Sequence, residues 1–167
     1  MNIYPSRYSA LSLSGQALIS LCYEIKPALL DCMAALQADS VLVRGNSGLS
    51  VAYVLHTIAP EIQFVIARKR AEQERSHGQM FEPMAPENVE VKRCVVLDDL
   101  ICTGSTIRQL HTDLRAEYGK NAAEIVGVLL YNNNGPFVGR RRFDLNNDEG
   151  FGPAPRNMIP VWFREYR

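Results

Sequence analysis

The chain has 167 residues, 47% hydrophobic and 22% charged, with 18 basic and 18 acidic side chains. That size and balance fit one soluble globular domain with its own core, and a net charge of zero excludes a bulk electrostatic pull toward nucleic acid or an anionic membrane surface. No apolar run is long enough to cross a bilayer and residues 1–15 lack the basic-then-apolar order of a secretory leader, so a cytoplasmic protein with no membrane and no nucleic-acid partner is expected.

Residues 1–13 are polar and aromatic-bearing and suggest no role. From Ser14 to Gln37 apolar residues recur at helical spacing, Ala17, Leu18, Leu21, Cys22 and Ile25, then Ala28, Leu29, Met33 and Leu36. Pro27 in their midst predicts a kink or two helices. Val41-Leu42-Val43 reads as the first buried strand. Arg44-Gly45-Asn46-Ser47-Gly48-Leu49 follows, then a helical pattern through Val51, Ala52, Val54, Leu55 and Ile58. Such a glycine-bearing turn is by itself ordinary, and Arg44 at the strand end has a structural reading. Gln63–Ala67 is the second strand. Behind it come Arg68-Lys69-Arg70 and a polar connection to Asn88, long for a compact domain, with Arg75, His77 and Gly78 as a hinge candidate. Glu72, Glu74 and Glu82 offset much of that charge, so a solvated loop is the plain alternative.

Cys94 to Leu97 is a third apolar, β-branched run that reads as a buried parallel strand. Asp98-Asp99 stands where it ends, and Thr103-Gly104-Ser105-Thr106 forms a hydroxyl-rich turn. Ile107, Leu110 and Leu114 then mark a helix that starts near Ser105 and ends at Tyr118, with Gly119 as its cap. Glu124–Tyr131 is another buried strand, closed by the turn cluster Asn132–Pro136. Residues 137–167 predict irregular structure with one late strand around Met158–Phe163; Arg140–Arg142 reads as a solvated run. The four cysteines, Cys22, Cys32, Cys94 and Cys102, lack metal-ligand spacing and read as reduced thiols. Strand–helix repeats with apolar strands predict a single-domain α/β fold, a parallel sheet flanked by helices, with ligand beyond the strand C-terminal ends.

The chemistry of the third strand's end is specific. A helix start offers unpaired amides and the positive end of its dipole, which suit a phosphate. Two neighbouring carboxylates repel a phosphate, but accept from sugar hydroxyls or help hold a divalent cation. Together they describe a ribose 5-phosphate.

Val95 through Thr106 resembles the 5-phosphoribosyl-1-pyrophosphate (PRPP) motif of type I phosphoribosyltransferases: four apolar residues, two acidic, two mostly apolar, a variable position, then Thr-Gly-x-Thr. No Gly-x-x-x-x-Gly-Lys-Ser/Thr occurs, which removes a Walker-type ATPase. The resemblance covers Val41 to Ile107. It implies the 5-phosphate on Cys102, Thr103, Gly104, Ser105 and Thr106, and ribose hydroxyls on Asp98 and Asp99, directly or through water on Mg2+. It implies pyrophosphate on Ser47-Gly48 with Arg68 and Lys69, although many members carry Lys or Arg where this chain has Ser47. Arg68-Lys69 with Arg75-Ser76-His77-Gly78 is similar to the flexible catalytic loop of orotate phosphoribosyltransferases. The gap between the two parts is longer here, and Arg75 replaces the usual Lys. Asp98, Asp99, Arg75 and His77 are the implied catalytic set. Cys102 stands where some relatives carry an Asp base, so no general base is named.

A core of about residues 38–131 is then expected, with segments 1–37 and 132–167 forming a hood. Tyr131, Phe137, Trp162 and Phe163 are candidates to stack on a base, with packing the stronger reading for Trp162 and Phe163. Asn132–Asn134 replace the Lys of 6-oxopurine members, which argues against hypoxanthine or guanine. The implied function is transfer of the phosphoribosyl group of PRPP to a nucleobase, orotate-like or other, in a homodimer; the alternative is a non-catalytic PRPP or nucleotide sensor.

Overall fold

The computed structural model describes residues 13–69, 78–85, 87–132, 140–146 and 157–164. Helix α1 (Gly15–Leu36) is capped by Ser14, whose hydroxyl accepts from the Ala17 amide at 3.3 Å. It runs unbroken through Pro27 rather than splitting into two helices. A proline inside a helix costs about 3 kcal/mol. Cys22 and Ile25 before it, and Leu29 and Cys32 after it, are fully buried on one stripe, and that burial outweighs the lost ladder bond.

Seven strands follow: β1 (Ser40–Arg44), β2 (Phe64–Ala67), β3 (Phe81–Pro83), β4 (Arg93–Asp98), β5 (Glu124–Leu130), β6 (Arg142–Asp144) and β7 (Met158–Phe163). They form one sheet in the order β3-β2-β1-β4-β5-β7-β6. The five central strands are parallel, and β3 and β6 join antiparallel at the two edges. Helices α2 (Gly45–Ile58) and α3 (Ser105–Tyr118) connect β1 to β2 and β4 to β5.

Alternation along the strands builds two cores. Val41, Val43, Phe64, Val95 and Leu97 point toward α1 and α2, whereas Leu42, Val65, Cys94 and Val96 point toward Ile107, Leu110 and Leu114 of α3. In β5 the phase slips: Cys94 faces Ile125 and Val95 faces Gly127, so Val126 is an extra residue, a β-bulge. Beyond it Val128 and Leu130 take the α3 face and Leu129 the other.

The terminal segments complete this frame. α1 covers one face, and β7 pairs with β5 (Leu129 opposite Trp162, Leu130 opposite Phe163) and carries β6 at its outer edge. Phe163 is buried in the α3-side core and Trp162 is half-buried against the other, so packing accounts for both.

Candidate active site

Strands β1 and β4 are neighbours; β1 runs directly into α2, and β4 leads into α3 through residues 99–104. The two turns, residues 44–47 and 98–107, face each other across a cavity of about 420 Å3, and Lys69 completes its wall.

The acidic pair is held rigidly. Asp98 Oδ1 accepts from the Asp99 amide at 2.9 Å, and Asp99 Oδ1 accepts from the Leu100 amide at 2.8 Å. The Asp98 and Asp99 carbonyls accept from the amides of Tyr131 and Asn132, at 3.2 and 3.0 Å, continuing the β4–β5 pairing past the strand end. Burial, and then the charge of Asp99, push the Asp98 carboxyl up to about 7. Two carboxylates so placed favour a cation between or beside them. Among the described residues no group of three or more His, Cys, Asp or Glu could hold a metal ion.

The turn at residues 101–107 is anchored below and open above. Ile101 and Ile107 are buried, while Cys102, Thr103, Ser105 and Thr106 are exposed. Gly104 caps α3 at φ +81°, a conformation that favours glycine. Thr103 Oγ1 accepts from the Ser105 amide at 3.3 Å and donates to Ser105 Oγ at 3.1 Å. The Ile107 amide donates to the Gly104 carbonyl at 3.1 Å, and the positive end of the helix dipole here suits an anion.

In the opposite turn Gly45 has φ +74° with open space around it, and with Asn46 and Ser47 it lines the cavity. Gly48 does not line it; a Cβ there would meet Val43 Cβ at 3.3 Å and the Leu97 carbonyl at 3.4 Å, so this glycine lets α2 pack onto the sheet. Gly45 and Asn46 are the residues sequence reasoning passed over, and the Arg-Gly pair directly after a strand was the available signal. Arg44 is largely structural: its guanidinium donates to Asp113 Oδ2 of α3 at 2.9 Å, both side chains being buried. Gln109 donates to the other Asp113 oxygen at 2.8 Å.

Of the basic loop, Lys69 reaches the cavity wall and Arg68 does not. Arg68 pairs with Glu82 of β3, Nη2 to Oε2 at 2.6 Å, and borders a smaller recess beside Gly45 and Asn46. Arg75, His77 and Phe137 lie outside the described residues. Tyr131, a candidate to stack on a base, is instead buried in the α1–α2 core. Among the described residues its hydroxyl finds no partner with full hydrogen-bond geometry, Ser47 being the polar side chain beside it. Burial, then the charges of Asp99 and Asp98, push its pKa far up, and Ser47 opposes them only in part. Cys22, Cys32 and Cys94 are free and buried, and burial raises the first two thiols to about 11 and about 12, which leaves them unreactive. Cys102 is free and exposed on the cavity.

Residues 45–138, more than half of the chain, match the family described as phosphoribosyl transferase domain. The chain belongs to the phosphoribosyltransferase family. Solved structures agree in fold. Orotate phosphoribosyltransferase of Francisella tularensis is 17% identical with a TM-score of 0.51, over 71% of this chain and 51% of that one. Leishmania donovani UMP synthase is 18% identical at 0.53, over 75% and 24%. The adenine phosphoribosyltransferase of Saccharomyces cerevisiae, solved with adenine, is 16% identical at 0.56, over 90% and 80%. The chain therefore spans about half the length of the orotate enzyme and four-fifths of the adenine enzyme. No curated protein sequence matches it. The match to the family begins at Gly45, so both cavity turns, apart from Arg44, fall within it. No described helix is long and apolar enough to cross a membrane.

Proposed function

We propose that the chain transfers the 5-phosphoribosyl group of PRPP to a ring nitrogen of a nucleobase, releasing pyrophosphate. The observation that carries this is the convergence of an acidic pair, a helix mouth and a second strand–helix turn on one cavity. The 5-phosphate sits on the amides and hydroxyls of residues 102–106. Asp98 and Asp99 accept from the ribose hydroxyls, and their charge stabilises the positive character that builds at C1 as its bond to pyrophosphate stretches. Residues 45–47 supply amides to the departing pyrophosphate, and Lys69 supplies a cation. Bound Mg2+ would neutralise part of the pyrophosphate charge, with Asp98 and Asp99 holding it directly or through water. Arg75 and His77 are proposed to close over the reaction and keep water from it. A cytoplasmic homodimer is the expected setting.

The test is incubation with PRPP, Mg2+ and a panel of bases, orotate included, with pyrophosphate as the readout. Release that needs a particular base, and is lost in Asp98→Asn/Asp99→Asn with a melting point no more than about 5 °C below wild type, supports the transferase; 1 kcal/mol corresponds to about 2–4 °C at this size. Misfolding of the double variant would make the pair structural. A second reading, a PRPP or nucleotide sensor, is favoured by Ser47 in place of a basic residue and by the Arg68–Glu82 ion pair, which turns one cation away from the cavity. Tight PRPP binding with no turnover of any base would select it.

A further inference from the structure

The phosphate turn leans on side chains from outside itself. Arg108, in the first turn of α3, donates from Nη1 to the Thr103 carbonyl at 3.0 Å and from Nε to the Asp144 carbonyl of β6 at 3.2 Å. Its guanidinium carbon lies 4.8 Å from the centroid of the Phe143 ring. Phe143 is buried, and it occupies the space a side chain at Gly104 would fill: a Cβ there would come within 2.2 Å of Phe143 Cε2.

We infer that Arg108, backed by Phe143, is a positioning residue that aims the phosphate-binding amide of Gly104 into the cavity. The inference rests on the PRPP reading and goes further, because it assigns the 5-phosphate end to a tie between α3 and the C-terminal hairpin. The peptide between Thr103 and Gly104 is planar and trans, so its C=O and N–H point in opposite directions. Arg108 is not part of the cavity wall, whereas Thr103 and Gly104 are. Holding the carbonyl toward Arg108 turns the amide toward the cavity. The ligand chemistry is a sugar phosphate monoester, as in ribose 5-phosphate or a nucleoside 5′-monophosphate, and not free pyrophosphate, which belongs at the other turn.

Calorimetry on the full chain with Mg2+, using ribose 5-phosphate and pyrophosphate as separate probes, tests this. Arg108→Met is expected to weaken ribose 5-phosphate by about tenfold, the scale of one charge-assisted hydrogen bond, and to change pyrophosphate by less than about twofold. Arg108→Lys, which keeps the charge but lacks the planar fork, recovers only part of the loss. Phe143→Leu produces a smaller loss with the same selectivity. Equal weakening of both probes would show a general structural role and overturn the inference, as would no weakening of either. Full recovery in Arg108→Lys would overturn the peptide-holding role in favour of charge alone. A measurement free of any folding defect is the Gly104 amide resonance of the wild-type chain, which must move on titration with ribose 5-phosphate. If it stays still while other signals move, the inference is wrong. If wild-type protein binds neither PRPP nor ribose 5-phosphate, the PRPP reading itself has failed.

Discussion

Asp98 carries an ionisation penalty in the fold. Its carboxyl titrates near 7 because burial and the neighbouring Asp99 charge disfavour ionisation, whereas in the unfolded chain it ionises in the ordinary carboxylate range. Between those limits the native chain holds a proton that the unfolded chain has released, so the free energy of unfolding falls as pH rises through that window. Three pKa units correspond to about 4 kcal/mol at most, fully felt above pH 7. Asp98→Asn is therefore expected to melt several degrees higher than wild type at pH 8 and to converge with it only near pH 4. Thermal melts across that range check the assignment, and equal melting points at pH 8 would refute it. That same charge is the one the proposed contacts to ribose and Mg2+ would use. PRPP affinity should accordingly strengthen as pH rises through 7.

The strand–helix turns divide their glycines by task. Gly45 and Gly104 hold positive φ on the cavity, whereas Gly48 allows close packing of α2. The Gly104 position is doubly constrained, by its φ and by Phe143. Gly104→Ala is expected to cost about 2–4 kcal/mol, a strained backbone added to a displaced buried ring, and chemical denaturation measures it. A loss below about 1 kcal/mol would mean that Phe143 yields easily. The β4–α3 unit was legible residue by residue, because an apolar run, an acidic pair, a small turn and a helical repeat are contiguous. The β1–α2 turn was legible as a turn, but which glycine serves it was not, since that depends on how closely Leu97 and Val43 approach. The unbroken α1 was missed for a related reason: a proline's local penalty is visible in the sequence, and the burial that overrides it is not.

Across the molecule, Arg44 and Asp113 join the end of β1 to the middle of α3 beneath the cavity. Both side chains are nearly inaccessible, so removing one partner strands a buried charge. Asp113→Ala is expected to destabilise the chain by about 3–5 kcal/mol, with Arg44→Met/Asp113→Leu far milder; denaturant titration of both variants checks it. Comparable losses in the single and double variants would show that packing, not charge, is at stake.

The amino-acid order alone carried the parallel core, its two faces and the PRPP-like turn, because strand alternation, helical spacing and turn chemistry act between near neighbours. The short edge strands β3 and β6 are too brief to show a period, and the bulge at Val126 is defined only by its partner strand. The Arg44–Asp113 tie, the Arg68–Glu82 pair, the burial of Tyr131 and the Phe143 contact at Gly104 join residues far apart in the chain. Those were decided by the closing of the sheet, since a charge or a ring finds its partner only once folding has brought the distant surface within reach.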